Sequence, residues 1–333
     1  MKKILMLLTG GTISMQFEAS GTAYVNPGNS DTLVKKQLPE LGELAEIDTI
    51  TLFHEDSSNI GPKHWAILSK TIEENYKKYD GFVILHGTDT MAYTASALSF
   101  SLKNLDKPVI LTGSQVPLVN LRSDARRNVI NAVEVATLPL NEVAICFNDK
   151  VFRGNRSTKM SIGDFDAFLS PNYAPLAEIG LHIETFFTKE RAKAPFYSEA
   201  LFDDNVNIIN LFPGLKTDAI LAMLKAQNPK GIVIEAFGSG NMPVTGDSSI
   251  LPVLNYCSEQ KITVLVVSQA VYDEVDLSKY ENGKMAFEAG AISARDMTVE
   301  ASVTKLMYLF GVHKTMHLVN QQLMIPLAGE FTL

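Results

Sequence analysis

Cysteine is scarce. The chain of 333 residues has 2, Cys146 and Cys257, and neither belongs to a Cys-x-x-Cys pair or another metal-ligand spacing. That excludes a disulfide framework as the basis of the fold and suits a reducing cytosol. Blocks of basic residues are missing too: Lys and Arg number 29 against 37 Asp and Glu, for a formal net charge of -8. Such a chain carries no electrostatic footprint for a nucleic-acid backbone or an anionic membrane, so the expected partner is a small solute. No hydrophobic run approaches the ~18 residues of a membrane span. Lys2 and Lys3 ahead of the run from Ile4 to Leu8 imitate a signal peptide, but the run stops at Thr9, short of the roughly 7 to 15 residues of a signal h-region. A first β-strand is the better expectation. The dinucleotide fingerprint G-x-G-x-x-G is absent after any strand, and Gly10 with Gly11 does not supply it.

Hydrophobic residues make up 46% and charged residues 20%, the balance of a globular chain with ample core, and the length points to two domains. The clearest segment runs from Asp80 to Ala92. Phe82 to Leu85 is apolar throughout and bounded by Gly81 and Gly87, which suits a strand buried on both faces of a parallel sheet. A polar turn follows, then a helical pattern from Met91 to Leu102. Further strands are expected at Asp48 to Phe53, Pro108 to Leu111 and Glu142 to Phe147, with helices opening at Pro62 and spanning Arg122 to Thr137. Val151 to Lys159 reads as an irregular hairpin-like return. Ser14 to Asp31, rich in Gly, Ser, Asn and Thr, reads as a long mobile loop of the kind that serves as a lid, with a helix beginning near Leu33. From about Thr188 to Asp204 periodicity is lost. The expected organisation is therefore a larger α/β domain at 1–187 with a mixed or parallel sheet, a linker at 188–205, and a smaller parallel α/β domain at 206–333. Strands at Asn207 to Phe212, Gly231 to Phe237 and Ile262 to Val267 alternate there with helices at Thr217 to Ala226 and Ser249 to Glu259, before a last long helix at Met297 to Phe310.

Open α/β sheets hold ligands at the carboxyl ends of their strands. The expected ends carry Thr12 after Gly10 and Gly11, Asp56 with Ser57 and Ser58, Thr88 with Asp89, and, past the irregular return, Lys159. A threonine hydroxyl becomes a nucleophile when a base removes its proton, and a desolvated lysine of lowered pKa can be that base. Thr88 and Lys159 suit such a pair. The glycines let backbone amides approach an oxyanion or carboxylate. Each residue has an ordinary reading as well: Asp89 or Thr90 as a helix cap, Lys159 as a solvated loop lysine, and the glycines as a tight turn. The joint occurrence favours chemistry. His313 and His317 are spaced to share a helical face but lack a third ligand, so surface or packing roles are expected.

With these residues in view the chain resembles the bacterial-type L-asparaginase family, most closely its cytoplasmic type I branch. The resemblance spans nearly the whole length. It rests on Thr9-Gly10-Gly11-Thr12-Ile13 and on Gly81-Phe82-Val83-Ile84-Leu85-His86-Gly87-Thr88-Asp89-Thr90, with Asp56-Ser57-Ser58, Thr112-Gly113-Ser114 and Arg153-Gly154-Asn155-Arg156 with Lys159 in support. The resemblance implies that Thr12 attacks the side-chain amide of L-asparagine and that Thr88, Asp89 and Lys159 form a second polar triad. It further implies that Tyr24 polarises Thr12 and closes over it, that Asp89 binds the substrate ammonium, and that Ser57, flanked by Asp56 and Ser58, holds the α-carboxylate. The Ser114 backbone would meet the departing nitrogen. Asn241 would reach into a neighbouring subunit's site, in a homodimer or homotetramer with sites at the dimer interface. An acyl-enzyme route of this kind calls for no cofactor or metal.

Regulated relatives carry an arginine in the strand corresponding to Ile232 to Phe237 and a cysteine after the next strand; Glu235 and Ala270 stand there. A carboxylate cannot receive an effector carboxylate as arginine does, which argues against cooperativity of that form. The competing functions are a mixed glutaminase-asparaginase, an amidotransferase subunit acting on transfer RNA, and a non-catalytic amino-acid-binding protein. The absence of a basic face argues against the transfer-RNA enzyme, and the hydroxyl and lysine set has no purpose in binding alone.

Overall fold

The computed structural model describes residues 1–17, 23–25, 36–187 and 194–333, without the side chains of 14–17 and 23–25. The chain separates into two compact units, Met1–Ala200 and Leu201–Leu333.

The first unit is built on an eight-stranded sheet in the order Ile183–Thr185, Ala177–Ile179, Lys150–Arg153, Val143–Phe147, Val109–Thr112, Gly81–Leu85, Lys3–Gly10, Glu46–Glu55. From Val143–Phe147 to Glu46–Glu55 neighbouring strands run parallel, and from Val143–Phe147 to Ile183–Thr185 they run antiparallel. The sheet is mixed. Strands such as Gly81–Leu85 are apolar at every position because both faces are covered. Met6, Leu8, Val83 and Leu85 pack with Val129, Ala132 and Val133 of the helix Ala125–Val135. The alternate residues Leu5, Leu7, Phe82 and Ile84 pack with Leu68 and Ile72 of the helix Pro62–Asn75 and with Ala95 and Leu98 of the helix Met91–Ser101.

The first strand in the chain lies between the second and the third, so the direction of sheet growth reverses between Lys3–Gly10 and Gly81–Leu85. Such a switch opens a crevice at the strand ends. The ends are level: Leu8 pairs with Leu85, and Leu85 with Thr112. Thr9 Oγ1 donates to Leu85 O at 2.9 Å, which ties the two central ends together.

Two expectations need correction. The segment from Ser14 to Asp31 is not irregular throughout, for Met15–Phe17 and Ala23–Val25 form an antiparallel pair with Gln16 opposite Tyr24. The rest of the expected lid and the helix start near Leu33 lie outside the described residues. In the expected linker, Tyr197–Ser198 pairs with Leu102–Lys103, and Phe196 stacks on Tyr76 with ring centroids 3.6 Å apart. Residues up to Ala200 therefore belong to the first unit, because the half-buried Phe196 ring gains contact with Tyr76 and the short strand pairs its backbone groups with Leu102–Lys103.

The second unit has a four-stranded parallel sheet in chain order: Val206–Asn210, Gly231–Ala236, Thr263–Ser268, Ile292–Ser293. Its core joins Ile232, Ile234 and Val266 with Leu224 of the helix Thr217–Gln227 and Leu254 and Cys257 of the helix Leu251–Gln260. Both cysteines are free and buried. His313 caps the end of the helix Val299–Val312 and His317 sits in the next one, Met316–Leu323. The two do not share a helical face, since one helix ends at His313 and the next begins at Met316.

Candidate active site

Lys159 is delivered by a sequence of small devices. The strand Lys150–Arg153 is followed by a single 3-10 turn, Gly154–Arg156, and then by Thr158–Lys159, which pairs with Phe168–Leu169. Arg153 anchors the start of this return through Nε and Nη2 bonds to Glu142 at 2.7 and 2.9 Å. Gly154 must stay small: a Cβ there would lie 3.0 Å from Val143 O and 3.1 Å from Ala95 Cβ. The result carries the Lys159 amine to Thr88. Its Nζ donates to Thr88 Oγ1 at 2.7 Å and to Asp89 Oδ1 at 2.6 Å. Thr88 is buried, whereas the Asp89 side chain is 64% exposed and free to meet a cationic ligand while still paired. The Thr88 hydroxyl in turn donates to Gln115 Oε1 at 3.3 Å.

Thr12 opens the 3-10 turn Thr12–Ser14, directly after Gly10 and Gly11. Both glycines have positive φ, +104° and +76°. A Cβ on Gly10 would lie 2.4 Å from Glu55 O, and one on Gly11 would lie 2.4 Å from Gly87 N. The turn bearing Thr12 and the turn bearing Thr88 thus touch backbone to backbone. Gly87 also faces Ser57, whose Cβ and Oγ would each be 2.7 Å from an added Cβ. Ser57 is buried at the start of the short helix Ser57–Asn59, and its carbonyl accepts from Thr90 Oγ1 at 2.6 Å. Asp56 caps that helix: its Oδ1 accepts from Ser58 Oγ at 2.7 Å and Ser58 N at 2.9 Å, and these bonds hold the carboxyl below the usual carboxylate range. The segments of Thr12, Ser57 and Thr88 all meet at Gly87. Ser114, fully buried, ends the next strand over, and its Oγ finds no partner among the described residues.

Beneath this junction lies His86, wholly buried. Its Nδ1 is 2.6 Å from Gly87 O, and its Nε2 is 2.9 Å from Thr94 Oγ1, which accepts from Trp65 Nε1 at 3.1 Å. Burial pushes the imidazole down to about 4, so it is neutral at pH 7.

Thr12, Ser57, Asp56, Ser58, Thr88, Asp89 and Lys159 are therefore brought to one region of the sheet edge. The side chain of Tyr24 lies outside what is described. Asn241 belongs to the second unit, where it is exposed and bridges to Phe237 after a turn with positive φ at Gly238 and Gly240. Gly238 and Ser239 line a hollow there with Glu274 and Lys279. Sequence reasoning missed the roles of Gln115, His86, Thr94 and Trp65. Gln115 Nε2 donates to Ser161 O and Asp164 O, each at 3.1 Å, and so ties the loop after Lys159 to Thr88. Gln115 was visible as the last polar residue of its strand end, but Trp65 and Thr94 read as ordinary helix residues. Among the described residues no group of His, Cys, Asp and Glu is arranged to hold a metal ion, and no helix is long and apolar enough to cross a membrane.

A switch-point crevice whose strand ends bring together two threonine-bearing turns, a lysine and a carboxylate defines a class: α/β enzymes that hold a small ligand at the carboxyl ends of their strands. The asparaginase N-terminal model matches residues 3–191, and the glutaminase/asparaginase C-terminal domain model matches residues 205–323. L-asparaginase 1 of Escherichia coli K12 is 39% identical over 99% of this chain and 98% of its own. Among solved structures, L-asparaginase I from Vibrio cholerae superposes with a TM-score of 0.90 at 38% identity, covering 100% of this chain and 99% of that one. The thermostable L-asparaginase from Thermococcus kodakarensis also gives a TM-score of 0.90, at 34% identity and 99% coverage of both chains. The chain belongs to the asparaginase family of amidohydrolases.

Proposed function

We propose that the protein hydrolyses L-asparagine to L-aspartate and ammonia through an acyl-enzyme on Thr12. The observation that carries the reading is the contact of Lys159 Nζ with Thr88 Oγ1 and Asp89 Oδ1, at 2.7 and 2.6 Å, on a turn packed against that of Thr12. Asp89, largely exposed, receives the substrate ammonium, and Ser57 holds the α-carboxylate with Asp56 and Ser58 beside it. Thr12 Oγ attacks the side-chain amide carbon, and its proton passes by way of the Tyr24 hydroxyl to the amide nitrogen, whose bond to carbon then breaks. The oxyanion draws on backbone amides near Gly11, and ammonia leaves past the Ser114 backbone after gaining a proton. Water then enters with the Thr88, Lys159 and Asp89 relay as its proton acceptor, splits the ester and restores Thr12. The protein works in the cytoplasm as a homodimer or homotetramer, with Asn241 of a second copy completing each site.

Ammonia release from asparagine and from glutamine, measured over a range of concentrations, tests this. Asparagine is expected to be the better substrate with a hyperbolic curve, Glu235 standing where regulated relatives have arginine. Thr12→Ala and Thr88→Val are each expected to fold and to lose about 100-fold or more in kcat. Absence of ammonia from asparagine overturns the reading, and undiminished turnover in either variant removes that threonine from the reaction.

A further inference from the structure

The His86 imidazole lies beneath the crevice and bonds to Gly87, the residue at which three site segments meet. The direction of its hydrogen bonds is determined by its neighbours. An indole N–H can only donate and a carbonyl can only accept. Trp65 Nε1 therefore donates to Thr94 Oγ1, at 3.1 Å, which leaves the Thr94 proton for His86 Nε2, at 2.9 Å. The remaining contact, 2.6 Å from His86 Nδ1 to Gly87 O, is attractive only if Nδ1 carries the proton. Trp65 and Thr94 come from the two helices that cover one face of the sheet, Pro62–Asn75 and Met91–Ser101. Trp65, Thr94 and His86 are all buried, so no water competes for these bonds.

We propose that His86 is a positioning residue, held as its Nδ1–H tautomer by Thr94 and Trp65, that locks the Gly87 carbonyl and through it the mutual placement of Thr12, Ser57 and Thr88. Gly87 has no side chain of its own to anchor it, and on its Cα side it faces Ser57 and the Gly11 backbone, so its carbonyl is the group His86 can hold. A rotated Gly87–Thr88 peptide would move Thr88 away from Lys159 and disturb the packing beneath Thr12. Displacements of this size act on kcat far more than on the binding of substrate.

The inference rests on the reading of this turn as the active site. The decisive variant is Thr94→Val, which keeps the shape of the side chain and removes the hydroxyl, with Thr94→Ser as its conservative rescue. Thr94→Val is expected to lower kcat about 10- to 100-fold with KM within about twofold, while Thr94→Ser stays near wild type. In histidine-labelled protein, ¹⁵N spectra assigned by difference with His86→Asn are expected to show the Nδ1–H form in wild type and its loss in Thr94→Val. His86→Asn, whose amide stands where Nδ1 stood, is expected to keep more kcat than His86→Gln. Wild-type kcat in Thr94→Val overturns the proposal, as does a fall in kcat with the Nδ1–H form intact. Thr12→Ala separates the underlying reading, since it leaves this hydrogen-bond chain alone: full turnover without Thr12 refutes the site assignment, while the ¹⁵N spectra still decide the tautomer.

Discussion

His86 also makes a prediction about stability, argued at the level of one side chain. Burial places its folded-state pKa at about 4, below the ordinary imidazole value of about 6.5. Between those values the unfolded chain binds a proton that the folded one refuses. The contribution to stability is therefore whole above about pH 6.5 and is lost as the pH falls toward 4, an effect of about 3 kcal/mol. Urea-unfolding free energies measured from pH 7 to pH 4 are expected to decline in wild type and to flatten across this window in His86→Asn. Parallel slopes in the two proteins would assign the acid sensitivity to other groups. Asp56 titrates in the opposite part of the range: its bonds to Ser58 lower its pKa, so the stability it adds is lost only as the pH falls below the usual carboxylate value.

At the level of elements, the second unit contains a clasp unconnected with chemistry. Lys305, in the helix Val299–Val312, is fully buried and bonds to Glu330 Oε1 at 2.6 Å and to the carbonyls of Leu323 and Ile325 at 3.0 and 2.8 Å. Glu330 in turn accepts from Leu327 N and Ala328 N, at 3.0 and 2.8 Å. The segment after the helix Met316–Leu323 is thereby tied to the longer helix by a buried ion pair, beside the buried ring of Phe331, whose centroid lies 4.8 Å from Lys305 Nζ. Removing one partner of a buried pair leaves the other charge uncompensated, at a cost of about 3–5 kcal/mol. Glu330→Gln is expected to destabilise the protein by that order in denaturant unfolding, and the double change Lys305→Met with Glu330→Gln to recover most of the loss. If the double variant is no more stable than the single one, repulsion of a stranded charge is not the cause. The strand ends of the first unit follow another logic: Gly10 and Gly11 are required by positive φ and close backbone approach, and Gly87 by the Ser57 side chain, whose Cβ and Oγ leave no room for a Cβ there.

For the whole molecule, the proposed role of the exposed Asn241 in a second copy's site predicts that catalysis depends on assembly. Activity per protomer is expected to fall on dilution in step with dissociation seen by analytical ultracentrifugation, and a fully active monomer would contradict shared sites. Much of this protein was open to reading in its residues. Apolar runs such as Phe82 to Leu85 declare burial on both faces, glycine at Gly10 and Gly11 declares a special turn, and the polar residues at strand ends mark the edge where ligands bind. Local pattern carries that much because burial and backbone conformation are local demands. What the residues left open was adjacency. The pairing of Met15–Phe17 with Ala23–Val25, the docking of Phe196 on Tyr76, and the chain from Trp65 through Thr94 to His86 each depend on which elements become neighbours. By itself the sequence determined two α/β units, their buried strands and the polar inventory at the strand ends. Only the tertiary structure decided that Gly11 lies on Gly87 and that Lys159 reaches Thr88 across 71 residues of chain, because those contacts are created by the order of strands in the sheet, and no short stretch of residues encodes that order.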